Sequence, residues 1–189
     1  KFGEIETAKG VQESSSIGFF STQSRYSFKE IRKNNKNANL VWQIFLFGSK
    51  KWIEKEIKEA EKNKSLAISL CLDAPVRSHR YLDRESRYDA RKFGRMRVLS
   101  ENPNFALSYD WEIIKWLKKK TKLPLILKGI ITSEDAKLAY KFGADYIWVS
   151  NHGGRMLNSG ISSGEALLKI KKELKNKIPL IVDGGVRKG

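Results

Sequence analysis

Apolar residues in this chain fall into two alternating kinds of pattern. Short unbroken runs, of the sort a strand buried on both faces produces, predict strands at Ile17–Ser21, Leu40–Phe45, Leu66–Asp73, Leu123–Lys128, Tyr146–Ser150 and Pro179–Asp183. Between them the apolar positions recur three and four apart. That spacing predicts amphipathic helices near Ser27–Lys33, Lys50–Asn63, Asp110–Lys120, Ser133–Phe142 and Ser163–Lys175. The punctuation agrees: Thr132-Ser133-Glu134-Asp135 offers capping side chains and first-turn acids, and Gly143 follows the expected helix end. Strand and helix in strict alternation point to an α/β architecture with a parallel sheet and helices outside it.

Polar residues choose between the two folds of that class. Gln43, Asp73, Lys128, His152 and Asp183 fall at or near the C-terminal ends of different strands. A doubly wound sheet gathers its site at one switch point, whereas a TIM-type (β/α)₈ barrel collects side chains from many strand ends at one face. The expected fold is therefore a TIM (β/α)₈ barrel, incomplete at about six of eight βα units, in one domain over residues 1–189. The chain starts at Lys1 and stops at Arg187-Lys188-Gly189 just after a turn signal, so it is expected to be an internal fragment.

One interruption breaks the rhythm. From Pro75 to Asn104 there is no strand-like run, and seven of the eleven arginines lie there. Arg77, Arg80, Arg84, Arg87 and Arg91 are spaced to form one helical stripe, partly offset by Asp83, Glu85 and Asp89. An Arg-rich insertion at about 76–104 is read as a solvated helix or a lid over an anionic ligand. The formal net charge of +16 invites a nucleic-acid reading. Most lysines, however, lie on the polar faces of amphipathic stretches such as Lys169–Lys175, and aromatics do not interleave with them on one platform. Nucleic acid is not expected as the main partner. The single cysteine, Cys71, excludes an internal disulfide and points to a reducing, intracellular setting. The expected location is cytoplasmic or peripheral to the inner face of the plasma membrane. No metal centre is expected.

Three strand tips carry the chemistry. Leu125-Ile126-Leu127 runs into Lys128-Gly129, Tyr146-Ile147-Trp148-Val149 into Ser150-Asn151-His152-Gly153-Gly154-Arg155, and Leu180-Ile181-Val182 into Asp183-Gly184-Gly185. An imidazole and a guanidinium three positions apart on a glycine-softened turn suit proton removal from a small acid held by its carboxylate. Lys128 closes a strongly apolar strand, where an unpartnered ammonium is costly. His79 has no comparable setting and reads as a loop residue.

These motifs, in this order, resemble the FMN-dependent α-hydroxy-acid oxidases and dehydrogenases. The resemblance extends through Gln43-Ile44-Phe45, Leu72-Asp73-Ala74-Pro75 and Arg80, and more weakly to Gly3-Glu4 and Ser21-Thr22. It implies an enzyme that oxidises a small (S)-2-hydroxy acid, lactate- or glycolate-like, to the 2-oxo acid. His152 is then the base, Asp73 its carboxylate partner, and Arg155 the clamp on the substrate carboxylate. Arg80 stands at a second substrate arginine and Phe45 at a substrate-facing position. Lys128 meets the N1/C2 edge of the FMN ring, and Gln43, Ser150, Cys71 and Ser21 lie around that ring. Asp183 touches the ribityl chain, and Gly184, Gly185 and Arg187 cradle the phosphate. The electron acceptor is left open among oxygen, a quinone and a cytochrome, and a homo-oligomer is implied for the full-length protein.

Departures accompany the resemblance. Phe45 stands where the family usually has tyrosine, and loss of that hydroxyl removes a hydrogen bond worth about 0.5–1.5 kcal/mol. Cys71 replaces a usual threonine, and Met156 and Asn158 replace a usual glutamine and aspartate. Without a first and a last strand the chain alone is expected to bind FMN poorly. The alternatives are another FMN barrel, such as a type 2 isopentenyl-diphosphate isomerase or an inosine-monophosphate-dehydrogenase-like enzyme, and a catalytically silent fragment or basic binding protein. The first has no need of His152 and Arg155 on one turn.

Overall fold

The computed structural model describes residues 3–46, 49–74, 85–86, 109–157 and 159–188. The expected Arg-rich insertion, with Arg80 and His79, lies outside the described residues apart from 85–86, and so does Asn158.

Six strands form one all-parallel sheet in the order β1-β2-β3-β4-β5-β6: Ile17–Ser21, Asn39–Phe45, Ile68–Cys71, Leu125–Ile130, Tyr146–Val149 and Leu180–Val182. Each strand pairs with its neighbour in sequence, so the order never reverses and no doubly wound switch point exists among the described residues. Helices α2 (Phe28–Asn34), α3 (Lys50–Lys62), α4 (Glu112–Lys120), α5 (Ser133–Lys141) and α6 (Ser163–Leu174) follow or link successive strands. This is an incomplete (β/α)₈ barrel, as the strand-tip pattern predicts.

Two apolar clusters give the sheet its two sides. The larger lies between sheet and helices and includes Leu40, Trp42, Ile44, Leu70, Leu125, Leu127 and Ile147 with the buried faces of the helices. The smaller takes one residue from the line of each strand: Phe19, Val41, Ala67, Ile126, Trp148 and Ile181. Because side chains alternate along a strand, that row marks the concave wall of the barrel. Phe19 and Trp148 meet across it edge to face, with ring centroids 4.5 Å apart.

Several element ends differ from the sequence reading. The third strand is shorter than Leu66–Asp73, because Leu66 still bonds to the Leu40 carbonyl and Leu72 to the Lys128 carbonyl outside the regular ladder. The fourth starts after Pro124, which has no N–H to donate, and continues past Lys128-Gly129 to Ile130 with a register shift between Lys128 and Ile130. Lys128 is thus inside a strand and not at its tip. An additional helix, α1 (Gly3–Glu13), precedes β1. It buries only Ala8 fully, so its sequence carries little helical periodicity.

Helix α2 is fixed by local chemistry. Ser27 Oγ accepts from the Glu30 N–H and Glu30 Oε2 accepts from the Ser27 N–H at 2.8 Å, a reciprocal capping box. Ser27→Ala is expected to cost about 1 kcal/mol, read as a lower urea midpoint at unchanged m-value.

Candidate active site

Two residues beyond the apolar row, each strand turns polar. Phe19 is followed by Ser21, Val41 by Gln43, Ala67 by Ser69, Ile126 by Lys128, Trp148 by Ser150 and Ile181 by Asp183. Strand alternation keeps these residues on the concave face, so an apolar floor gives way to a polar layer at the C-terminal end of the sheet. Register agrees on the first three strands, where Ser21 pairs with Gln43 and Gln43 with Ser69.

Lys128 is the hub of that layer. The residue is only 7% exposed, and its ammonium donates to Ser150 Oγ at 2.8 Å and to Asp73 Oδ2 at 3.2 Å and lies 3.6 Å from Asp183 Oδ2. It also stands over the Trp148 ring, 5.3 Å from the centroid. A buried cation is tolerable only when paired and hydrogen-bonded, and this one is both.

Asp73 links the hub to the histidine turn. Its Oδ1 lies 3.0 Å from His152 Nδ1 and accepts from Cys71 Sγ at 2.9 Å, while Oδ2 faces Lys128. Burial by itself would raise this carboxyl. The hydrogen bonds from His152 and Cys71, with the Lys128 charge, outweigh it and hold Asp73 down to about 2. Burial, and then the Asp73 charge, push the Cys71 thiol far up, so it stays protonated and donates. The carboxylate assigns the imidazole tautomer: Nδ1 carries hydrogen toward Asp73, and Nε2 is left as the free lone pair.

The backbone brings His152 there through a strained turn. Residues His152–Gly154 form a single 3₁₀ turn, and His152, Gly153 and Gly154 have φ of 56°, 65° and 70°. Asn151 holds it at both ends: Oδ1 accepts from the Gly154 N–H, and Nδ2 donates to the Ile161 carbonyl. The His152 N–H donates to Ser150 Oγ, the same hydroxyl that Lys128 reaches. Arg155 is exposed, and its Nε donates to the His152 carbonyl at 3.2 Å. Among the described residues its terminal nitrogens have no hydrogen-bond partner, which leaves the planar fork facing outward.

With both carboxylates and Lys128 charged, the cluster of Asp73, Asp183, Lys128 and His152 carries one net negative charge. A proton arriving on His152 brings it to zero. The donor atoms of Cys71, Asp73 and His152 all lie within 4.8 Å, a set that includes metal-ligand types. Asp73 already accepts from both neighbours, and the adjacent ammonium opposes a cation there.

The architecture has counterparts among known proteins. The profile of a family described as FMN-dependent dehydrogenase matches residues 1–189. This chain belongs to that family. A 2-hydroxyacid oxidase of Dictyostelium discoideum is 34% identical, with the alignment covering 99% of this chain and 52% of that protein. 2-Hydroxyacid oxidase 1 of Homo sapiens is 30% identical, covering 99% of this chain and 56% of its own length. A crystal structure described as a lactate oxidase from Pediococcus acidilactici superposes with a TM-score of 0.90 at 32% identity, covering 98% of this chain and 52% of that one. A mandelate oxidase structure gives 0.89 at 28% identity, covering 99% and 54%. The chain therefore spans about half the length of the relatives it matches.

The FMN-dependent family sets a fit test for the concave wall. A flavin nucleotide needs donors and acceptors along a ring and small residues around a phosphate. Ser69 Oγ and Asp183 Oδ1 are buried and have no hydrogen-bond partner among the described residues, and the same holds for Ser163 Oγ at the start of α6. Gly184 and Gly185 have φ of 87° and 78°, and a Cβ on Gly184 would stand 3.2 Å from that Ser163 hydroxyl. Orphaned polar atoms beside a glycine loop fit such a group.

The expected site residues divide into three sets. Ser21, Gln43, Lys128, Ser150, Asp183, Asp73, Cys71 and His152 share the concave wall or its upper rim; Arg155, Gly184, Gly185 and Arg187 stand exposed on the loops beyond. Phe45 lies two residues past Gln43 on the same strand face and pairs with Cys71, so it stands buried at the upper end of the same wall. Arg80 lies outside the described residues. Sequence reading missed Ser69, the close approach of Gly129 to Asp73 and the stapling role of Asn151. Ser69 was detectable, since it sits two residues before Cys71 and four before Asp73 on one strand face.

Proposed function

We propose that this chain carries the acid–base and cation wall of an FMN-dependent oxidase or dehydrogenase acting on a small (S)-2-hydroxy acid. The observation that carries the reading is the Lys128–Asp73–His152 relay across three elements, with Arg155 anchored to the same turn as the imidazole. FMN, when bound, supplies the acceptor for the two electrons that leave the substrate.

Each residue then has a defined task. Arg155 grips the substrate carboxylate with its two terminal nitrogens, since Nε is already committed to the His152 carbonyl. His152 Nε2 takes up the proton as the hydroxy acid becomes the 2-oxo acid, and Asp73 stabilises the imidazolium through Nδ1. Lys128 offsets negative charge developing on the inner face of the wall. Gln43, Ser69 and Ser150 offer hydrogen bonds around the ring, and Gly184, Gly185 and Arg187 receive the phosphate.

A protein completed at both ends with the flanking segments of the Dictyostelium relative provides the test. Loaded with FMN and mixed without oxygen with lactate, glycolate or mandelate, it is expected to lose flavin absorbance near the visible maximum. His152→Ala should keep the flavin and slow the bleaching by on the order of 10²–10⁴-fold. A flavin-loaded protein that no 2-hydroxy acid bleaches would overturn the reading.

A further inference from the structure

In a parallel α/β unit every helix ends where the next strand begins. The last turns of the helices and the turns after them therefore gather at the end of the sheet opposite the candidate site. On this chain that end is strongly basic. Lys33 and Lys36 lie there before β2, Lys62 and Lys64 before β3, and Lys119 and Lys122 before β4, all exposed. Lys141 precedes β5, and Lys172, Lys175 and Lys177 precede β6. None of these forms an ion pair among the described residues.

The acids at this end are already engaged. Glu13 pairs with Lys9, Asp145 with Lys118 and Glu173 with Lys137, Glu61 accepts from Thr121, and Glu59 accepts from the Lys29 N–H. First-turn acids such as Glu4, Glu30, Glu112, Glu134 and Glu165 lie at the other end. Complementing a helix dipole takes about one cation in a last turn. Here lysines also occupy the connecting turns, where the dipole does not require them.

Apolar side chains are interleaved with these lysines. Ile17 is 56% exposed, Leu66 47%, Tyr140 46% and Tyr146 37%, each at a strand start or a helix end on this same side. Among the described residues arginine is nearly absent there. Arg32, the one described at this end, is committed to the carbonyls of Asn35, Lys36, Ala38, Asn63 and Lys64. Nucleic-acid sites pair a basic groove with stacking aromatics, whereas dispersed lysines with tyrosine and aliphatic residues suit a lipid headgroup layer.

We propose that the strand-start end of this sheet docks on an anionic lipid bilayer, with the candidate site facing away from it. Attachment is peripheral: no helix among the described residues is long and apolar enough to cross a membrane.

Co-sedimentation of the chain with phosphatidylcholine vesicles, with and without phosphatidylglycerol, tests this. Binding is expected only with the anionic lipid and should vanish at high salt. Reversing Lys36, Lys64, Lys122 and Lys177 to glutamate should weaken it on the order of a hundredfold. Reversing Lys50, Lys51, Lys55 and Lys188, which changes net charge equally, should leave most of it. Hydrogen exchange on the unmodified chain keeps the test independent of variant folding. Vesicles should protect residues 14–18, 34–39, 63–67, 140–146 and 175–179. Equal loss in both variants, protection spread over all helices, or tighter binding to duplex DNA through the same four lysines would each overturn the proposal.

Discussion

Asp73→Ala is expected to destabilise the chain by about 3–5 kcal/mol, the range for removing one member of a buried ion pair. Three donors lose their acceptor at once. Lys128 keeps Ser150, the Trp148 ring and the more distant Asp183, His152 Nδ1 has no carboxylate, and the Cys71 thiol has no oxygen. Asp73→Asn is the sharper test, since it preserves volume. Whichever way the amide is turned, its NH₂ faces a donor: the Lys128 ammonium on one side, or His152 and Cys71 on the other. We expect asparagine to recover only part of the loss in urea denaturation at neutral pH.

Acid supplies a second reading of the same carboxylate. Its folded value is about 2 against an ordinary 3.8. A depressed carboxyl contributes stability that is fully present above its unfolded value and is lost as pH falls through the folded one. That contribution is about 2 kcal/mol, and it should fade between about pH 4 and pH 2. The stability gap between the unmodified chain and Asp73→Asn should narrow over that window. A gap constant down to pH 2 would mean that packing, and not charge, sets the cost.

How much of this was readable beforehand depended on the range of the interaction. The strand runs were legible because burial on both faces leaves an unbroken apolar signature, and the capped start of α5 because its partner is three residues away. His152, Asp73 and Lys128 could be singled out because polar residues at strand ends stand out against apolar runs. Their connection through Asp73 could not be derived from composition or spacing; it spans 55 and 79 residues and exists only once β3, β4 and β5 lie side by side. Helix α1 was illegible for the opposite reason, since a helix that buries one alanine leaves almost no periodic trace. The extension of β4 beyond Lys128 was hidden by Gly129, which reads as a strand end in sequence and is a register shift in the sheet.

Gly129 carries the other large expected effect. Its φ of 106° lies where an L side chain is strained. A Cβ there would stand 2.4 Å from Asp73 Cβ and 2.8 Å from the Asp73 backbone nitrogen. The obstacle is a strand end and its backbone, not the tip of a flexible side chain, so relief requires β3 and β4 to part. Gly129→Ala is expected to cost on the order of 3 kcal/mol or more, combining overpacking with backbone strain. Gly154→Ala separates the two contributions. Its φ is 70° and nothing lies within 4 Å of the added methyl, so only the strain of about 1–2 kcal/mol should appear. If the two variants unfold at the same urea concentration, the close approach of Gly129 to Asp73 contributes nothing. A larger loss in Gly129→Ala, with flavin binding by the completed protein weakened as Asp73 is displaced from Lys128, would show that the glycine exists to let the carboxylate reach the ammonium.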